Sequence, residues 1–293
     1  MKKGLKQFIF YACVTLVIAN GLAWGILYIH TKAAFYKPAF LTNQVLDSRF
    51  DYIILGSSIG LTTLNTFVID SISQRKGINL SMDDTGLASQ YLMLQHFLAE
   101  NKETDYVILV LNSWEVMNTS GELSDNDYRF LPFVSRDYVY EHFVSLEEGF
   151  PVLSGSKYLP FLGVGYYNTE LVAPSVASLF NTTKRNRFDE RGNYVYPTSG
   201  TPPEKKFSEI TLQFRNPYLD KIQSLCEAHE ITIILYQPPS YKTEVLNVNT
   251  QGYINHSSLL KDKMFFYDAM HVNAKGREAA SIEFAEEFKR AGN

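Results

Sequence analysis

A serine hydroxyl at a strand-to-helix turn and an Asp-x-x-His pair near the end of the chain are residue types suited to acyl transfer. In Leu55-Gly56-Ser57-Ser58-Ile59-Gly60 an apolar run passes through Gly-Ser-Ser into a helical pattern. A hydroxyl there is exposed at the sheet edge, where helix N–H groups and their partial positive charge meet a developing oxyanion. Gly56 permits the tight turn. The alternative role of Ser57 and Ser58 is to cap the helix. In Asp268-Ala269-Met270-His271 a carboxylate precedes an imidazole by three residues. A local turn then lets Asp268 fix the His271 tautomer through one ring nitrogen while the other faces a nucleophile. The alternative is a surface turn with a solvated His. Chain order links the two features: a nucleophile after the first strand and a base before the last helix meet at one edge of a shared sheet.

Other polar residues fit structural roles. His96 falls in a helical stripe without a partner at catalytic spacing, and His142, His229 and His256 lack any HExxH-like companion, so no metal is expected. His229 follows Cys226 at helical spacing, yet two ligands do not make a zinc site. Asp83 and Asp84 are adjacent and do not face each other, which suits a turn rather than a carboxylate pair.

The elements that position the serine and the Asp-His pair are short apolar runs. Tyr52 to Leu55, Tyr106 to Leu111 and Ile231 to Tyr236 read as buried parallel strands, with Ile78 to Leu80 and Met264 to Tyr267 as weaker candidates. Leu61, Leu64, Val68 and Ile72 make one helical stripe, and Leu87, Tyr91, Leu94 and Leu98 another. Asn273 caps a last helix in which Ala280, Phe284 and Phe288 share a face. The alternation predicts an α/β sheet with helices on both faces and a ligand site beyond the carboxyl ends of its strands. Pro238-Pro239 follows the third strong strand and lies at that same edge. Residues 115–212 break the rhythm and are rich in Tyr, Pro, Gly, Asn and Ser. So long a segment is expected to form short helices and a lid-like insert, its aromatic residues serving either as lid core or as a surface that stacks on sugar rings.

The chain has 293 residues, a formal charge of −4 and two cysteines. Residues 8–29 carry no charge, and about 22 helical residues span about 33 Å, enough for a bilayer core. Lys2, Lys3 and Lys6 precede this run. By the positive-inside rule they stay in the cytoplasm and the body is delivered to the other side. A cleaved signal peptide ending near Ala19-Asn20-Gly21 is the alternative, and it places the body outside as well. The reading is a cytoplasmic tip and transmembrane anchor at 1–30, a stalk at 31–48 and one α/β domain at 49–293. The first 30 residues contain three Lys and no acid, so the remainder has 24 basic and 31 acidic residues, a net of −7. That balance excludes nucleic acid as a partner, because such binding draws its affinity from Lys and Arg on phosphates. Cys13 lies in the anchor and Cys226 stands alone, so no intrachain disulfide forms and stability rests on the core.

With these features in place, residues 50–290 resemble the SGNH, or GDSL-like, hydrolase superfamily, least so across the insert. The closest likeness is to membrane-anchored members from surface-polysaccharide and cell-wall systems, similar to alginate-type O-acetyltransferases and the D-alanyl transfer proteins of teichoic acids. The family's Gly-Asp-Ser block corresponds to Gly56-Ser57-Ser58, with Ser57 in place of the Asp. Its Asn-Leu block and following Gly match Asn79-Leu80 and Gly86, and its last block matches Asp268 and His271. The third block, Gly-x-Asn-Asp, is replaced by Leu111-Asn112-Ser113-Trp114-Glu115, where Asn112 is the one nearby side chain able to donate to an oxyanion, or else a structural Asn at a strand end.

The resemblance implies a three-layer flavodoxin-like fold and a catalytic Ser58, His271 and Asp268. It implies an oxyanion hole of Ser58, Gly86 and Asn112, with no cofactor. The expected function is an anchored serine esterase or O-acyltransferase acting on acyl esters of a cell-surface glycan. The other reading is a catalytically weak glycan-binding or accessory module assisting a membrane-embedded acyltransferase.

Overall fold

The computed structural model describes residues 2–246 and 250–291. The chain begins with α1 (Lys2–Lys32) and α2 (Lys37–Asn43). Next come β1 (Arg49–Leu55), α3 (Ser58–Thr63), α4 (Thr66–Ser73), β2 (Gly77–Asn79), α5 (Leu87–Ala99), β3 (Glu103–Val110) and α6 (Ser113–Met117). The middle holds α7 (Asp137–Leu146), α8 (Phe161–Tyr166) and α9 (Asn168–Phe180). The last part contains β4 (Ser208–Thr211), α10 (Pro217–Ala228), β5 (Thr232–Gln237), β6 (Thr243–Leu246), β7 (Tyr253–Asn255) and α11 (Ala274–Ala291).

These elements gather into two compact units. One joins Met1–Val45 to Asp127–Asn186, and the other joins Leu46–Asn126 to Arg187–Asn293. The second unit is built on a five-stranded parallel sheet in the order β2-β1-β3-β5-β7. Runs such as Ile53-Ile54-Leu55 and Val107-Ile108-Leu109 are apolar at every position because both faces are covered. Tyr52, Ile54, Ile108, Val110, Ile234 and Tyr236 meet Ile69 of α4 and Phe284, Ala285 and Phe288 of α11. Alternate residues such as Ile53, Leu55, Val107 and Leu109 point to the other side, where α5 and α10 pack together. A separate two-stranded parallel sheet pairs β4 with β6.

The first unit contains α1, which is long and apolar enough to cross a membrane. Residues 3–18 of this helix are bare, whereas Ala23, Leu27 and His30 are buried against the unit's own helices. The 31–48 segment is not a free stalk, because Lys37, Pro38, Ala39, Phe40 and Leu41 are all buried. Arg185 explains part of this: its guanidinium lies over the Phe40 ring at 5.1 Å and donates to Gln44 Oε1.

Three local expectations are corrected. The stripe from Leu61 to Ile72 is two helices rather than one, broken where Leu64 is extended and the Asn65 side chain accepts from Phe67 N to start α4. Met264 to Tyr267 is not a strand. Lys263–Phe265 forms a 3-10 turn, and Phe266 makes an isolated antiparallel bridge with Val272, because the Asn273 amide takes the Met264 and Phe266 carbonyls. The fifth strand is instead β7, pairing with β5 from Leu235↔Tyr253 to Gln237↔Asn255.

Candidate active site

The site is assembled at the carboxyl ends of the strands in the second unit. β1 ends at Leu55, and Ser57 lies extended ahead of α3, its side chain making no cap bond. Gly56 is needed for room: a Cβ there would lie 3.0 Å from Gly60 Cα and 3.1 Å from Val110 Cβ. Asn79, at the end of β2, steadies the same turn, its Nδ2 donating to the Gly60 carbonyl at 3.1 Å. Ser58 is thereby held at the start of α3, facing the loop that precedes α11.

That loop is clipped at both ends. Tyr267 N–H donates to the His271 carbonyl at 2.8 Å, and the Asn273 side chain caps α11 through Lys275 N–H and Gly276 N–H. Within it, Asp268 Oδ1 accepts from the N–H groups of Met270 and His271, each at 2.8 Å. Oδ2 lies 2.8 Å from His271 Nδ1. Burial pushes the Asp268 carboxyl up, but the Met270 N–H, the His271 ring and the His271 N–H together outweigh it and hold the group below the usual carboxylate range. An ionised carboxylate only accepts, so Nδ1 carries the proton and Nε2 is left as an acceptor. Ser58 Oγ lies 2.8 Å from that Nε2. Across 213 residues of sequence, the structure therefore brings Ser58, His271 and Asp268 into one hydrogen-bonded line.

The serine opens into a cavity of about 380 Å³ shared with Gly86 and Asn112. Asn112 caps α6 by accepting from Trp114 N–H through Oδ1, which keeps the amide hydrogens of Nδ2 for another acceptor. The Gly86 N–H donates to Ser124 Oγ at 2.9 Å, so reaching an oxyanion would require it to exchange that hydroxyl for the new acceptor. A neighbouring cavity of about 240 Å³ is walled by apolar residues such as Ile59, Leu111, Trp114 and Pro238, and shares Asn112 and Met270 with the first. Pro238 and Pro239 thus line this second cavity at the strand edge.

Two side chains escaped the sequence reading. Glu115 lines the serine cavity together with Asp84, Glu122 and Asp125, and among the described residues no Lys, Arg or His shares that wall. Its carboxyl lies so close to Gly86 that a Cβ there would come 2.7 Å from Oε2. Burial raises the Glu115 pKa against the opposing pull of the Leu87 N–H. Tyr196 stacks on Tyr267 at 4.3 Å and meets the His271 ring edge-on at 5.3 Å, which fixes the imidazole plane. In sequence, nothing separates Tyr196 from the other tyrosines of the insert. A glutamate three residues after Asn112 reads only as part of a short helix.

Because the folded chain holds the Glu115 proton above the ordinary glutamate value of about 4.3, it binds more protons than the unfolded chain as the pH rises through that value. Stability therefore falls with pH until the raised folded value is passed. Glu115→Gln removes this dependence. The variant is expected to melt higher than the parent at pH 8, with the gap closing below about pH 4; thermal melts across pH check it, and a gap that widens toward acid would contradict it.

Three other histidines have structural settings. His142 Nε2 pairs with Asp127 at 2.9 Å, His256 Nε2 pairs with Glu287 at 2.9 Å, and His96 is fully buried. Among the described residues no group of three His, Cys, Asp or Glu is placed to hold a metal ion. Compared with known proteins, the chain matches no family model and no curated protein.

Proposed function

We propose that this chain is a membrane-anchored, extracytoplasmic serine esterase or O-acyltransferase of SGNH type, acting on acyl esters of a cell-surface glycan through an acyl-Ser58 intermediate. The observation that carries the reading is the line from Ser58 Oγ through His271 to Asp268, with 2.8 Å at each junction. Its three-layer sheet, in an order equivalent to the flavodoxin-like 2-1-3-4-5, is consistent with that family.

In the proposed reaction Ser58 Oγ attacks the acyl carbonyl as its proton moves to His271 Nε2, and Asp268 stabilises the resulting imidazolium. The oxyanion is held by the Ser58 N–H and Asn112 Nδ2, joined by the Gly86 N–H once it releases Ser124. The tetrahedral adduct collapses, the departing alcohol takes the proton from Nε2, and acyl-Ser58 remains. Water or a sugar hydroxyl then gives its proton to Nε2, attacks the acyl carbon and regenerates Ser58. The second cavity beside the first supports transfer, since donor and acceptor each have a place. The wall of carboxylates favours acyl groups without negative charge. The body lies outside because α1 spans the membrane with Lys2, Lys3 and Lys6 on the cytoplasmic side.

A serine-directed organophosphonate tests the reading: the full-length chain is expected to gain one covalent adduct on Ser58, and Ser58→Ala none. A well-folded chain that never labels would favour the accessory-module reading, which the engagement of Gly86 N–H by Ser124 also fits. Among labelling-competent preparations, comparing released acid with acylated sugar separates hydrolysis from transfer.

A further inference from the structure

The charge-free run of the anchor and the helices packed on it occupy overlapping lengths. The twelve residues from 7 to 18, between Lys6 and the first contact with the rest of the unit, rise only about 18 Å at about 1.5 Å each. A bilayer core is about 30 Å thick, so a spanning α1 has about 12 Å of hydrocarbon still to cross after Ile18. That distance corresponds to residues 19–26, and this part of the helix is already covered by protein. Phe161 N–H, at the start of α8, donates to Asn20 Oδ1 at 3.1 Å. Asn20 Nδ2 donates to the Leu16 carbonyl at 2.9 Å, which leaves this polar side chain of the anchor satisfied. Higher up, Ser175 of α9 lies 3.0 Å from His30 Nδ1 and reaches the Ile26 carbonyl.

The covering segment has the composition of a lipid-facing one. From residue 158 to 183 the sole charge is Glu170, and Lys157 and Lys184 bracket the stretch. Leu159, Phe161, Tyr166, Val176, Leu179 and Phe180 all expose large apolar side chains there, Phe180 at 86%. A shallow apolar groove runs along α9 past Val172, Ala173 and Val176. On α1 itself, Trp24 and Tyr28 are exposed and stacked at 5.6 Å, the pairing of an interfacial belt.

We propose that α8 and the outer side of α9 are seated in the lipid bilayer beside the anchor, in the leaflet at the C-terminal end of α1, so that the insert binds lipid as a monotopic platform. The proposal rests on the reading of α1 as a span. Phe161, level with Asn20, lies about 10 Å inside the hydrocarbon edge expected near Leu27, which matches the depth of about 5–10 Å reached by interfacial helices. Exposed Lys184 then extends toward head groups from one end of the apolar stretch, while Lys157 at the other is held over the Tyr140 ring and beside Asp137.

The test uses the full-length chain carrying Cys13→Ser, with buried Cys226 left in place, in nanodiscs of phosphatidylcholine and phosphatidylglycerol. Single cysteines at Val14→Cys, Phe161→Cys, Val176→Cys, Leu179→Cys and Glu283→Cys receive a nitroxide, and collision with oxygen is compared with collision with a water-soluble nickel chelate. The oxygen-to-nickel ratio at 161, 176 and 179 is expected to exceed that at 283 by about tenfold and to lie within about threefold of that at 14. If those three positions match 283 while 14 is lipid-like, the span stands and the seating is overturned. If 14 also matches 283, the span reading itself fails and the seating falls with it. Labels shielded from both reagents would mean that protein covers the face, which also overturns the proposal.

Discussion

Exchanging Asp268 for Asn is expected to cut turnover of a small acyl ester by about 10⁴-fold while leaving the fold intact. The geometry supplies the reason. Oδ1 of Asp268 accepts both backbone N–H groups of the loop, while Oδ2 faces His271 Nδ1. An Asn placed here keeps its carbonyl on the two N–H groups and turns its NH₂ toward the imidazole. Nδ1 must then be the acceptor, the ring proton moves to Nε2, and Nε2 can no longer take the Ser58 proton. The loop retains its two backbone bonds, so the thermal midpoint should move by only a few degrees. Steady-state kinetics beside a thermal melt checks both halves. A loss smaller than tenfold, or one matched by unfolding, would count against His271 as the base.

Gly276→Ala has the second largest expected effect, and it acts through packing rather than chemistry. A Cβ at Gly276 would sit 2.1 Å from the Phe265 carbonyl oxygen and 2.9 Å from Val272 Cβ. The first of these is backbone and cannot swing aside. That carbonyl also accepts from Asn273 N–H at 2.9 Å, so moving it loosens the clip that ends in His271. Overpacking of this kind costs about 1–3 kcal/mol, and a displacement of about 1 Å at a reacting group costs about 100-fold in rate. Denaturant melts and ester turnover on one preparation measure the two together. Unchanged stability with unchanged turnover would show that the loop and α11 are not coupled as described.

How far the sequence disclosed this arrangement depended on the length scale of each signal. β1, β3 and β5 were legible because strands covered on both faces are apolar at every position, a signal that five or six residues suffice to carry. Ser58, Asp268 and His271 were legible from residue type and chain order, since a strand-to-helix turn and a local Asp-x-x-His turn each restrict where a side chain points. β7 was not, because Tyr253-Ile254-Asn255 is too short and polar to show a period, and its pairing is set by β5 alone. Met264 to Tyr267 looked like a strand because apolar β-formers do, but the Asn273 side chain, seven to nine residues away, takes its carbonyls. The packing of Phe40 was hidden for a similar reason: the Arg185 guanidinium that covers its ring lies about 145 residues downstream. Glu115 and Tyr196 gained their places from tertiary approach and left no local pattern.

The distance along the chain between Asn20 and Phe161 also fixes an order in time. Their contact spans 141 residues, and at about 5–20 residues per second of synthesis α1 is complete roughly 7–30 seconds before α8 exists. During that interval α1 has α2 to pack on, with Tyr36 beside the His30 ring, but it lacks α8 and α9, and Asn20 has only the Leu16 carbonyl. The nascent chain therefore carries the 19–30 part of its first helix without α8 and α9 until those helices are made. The first unit is thus begun first and closed only after β1, β2 and β3 have been synthesised.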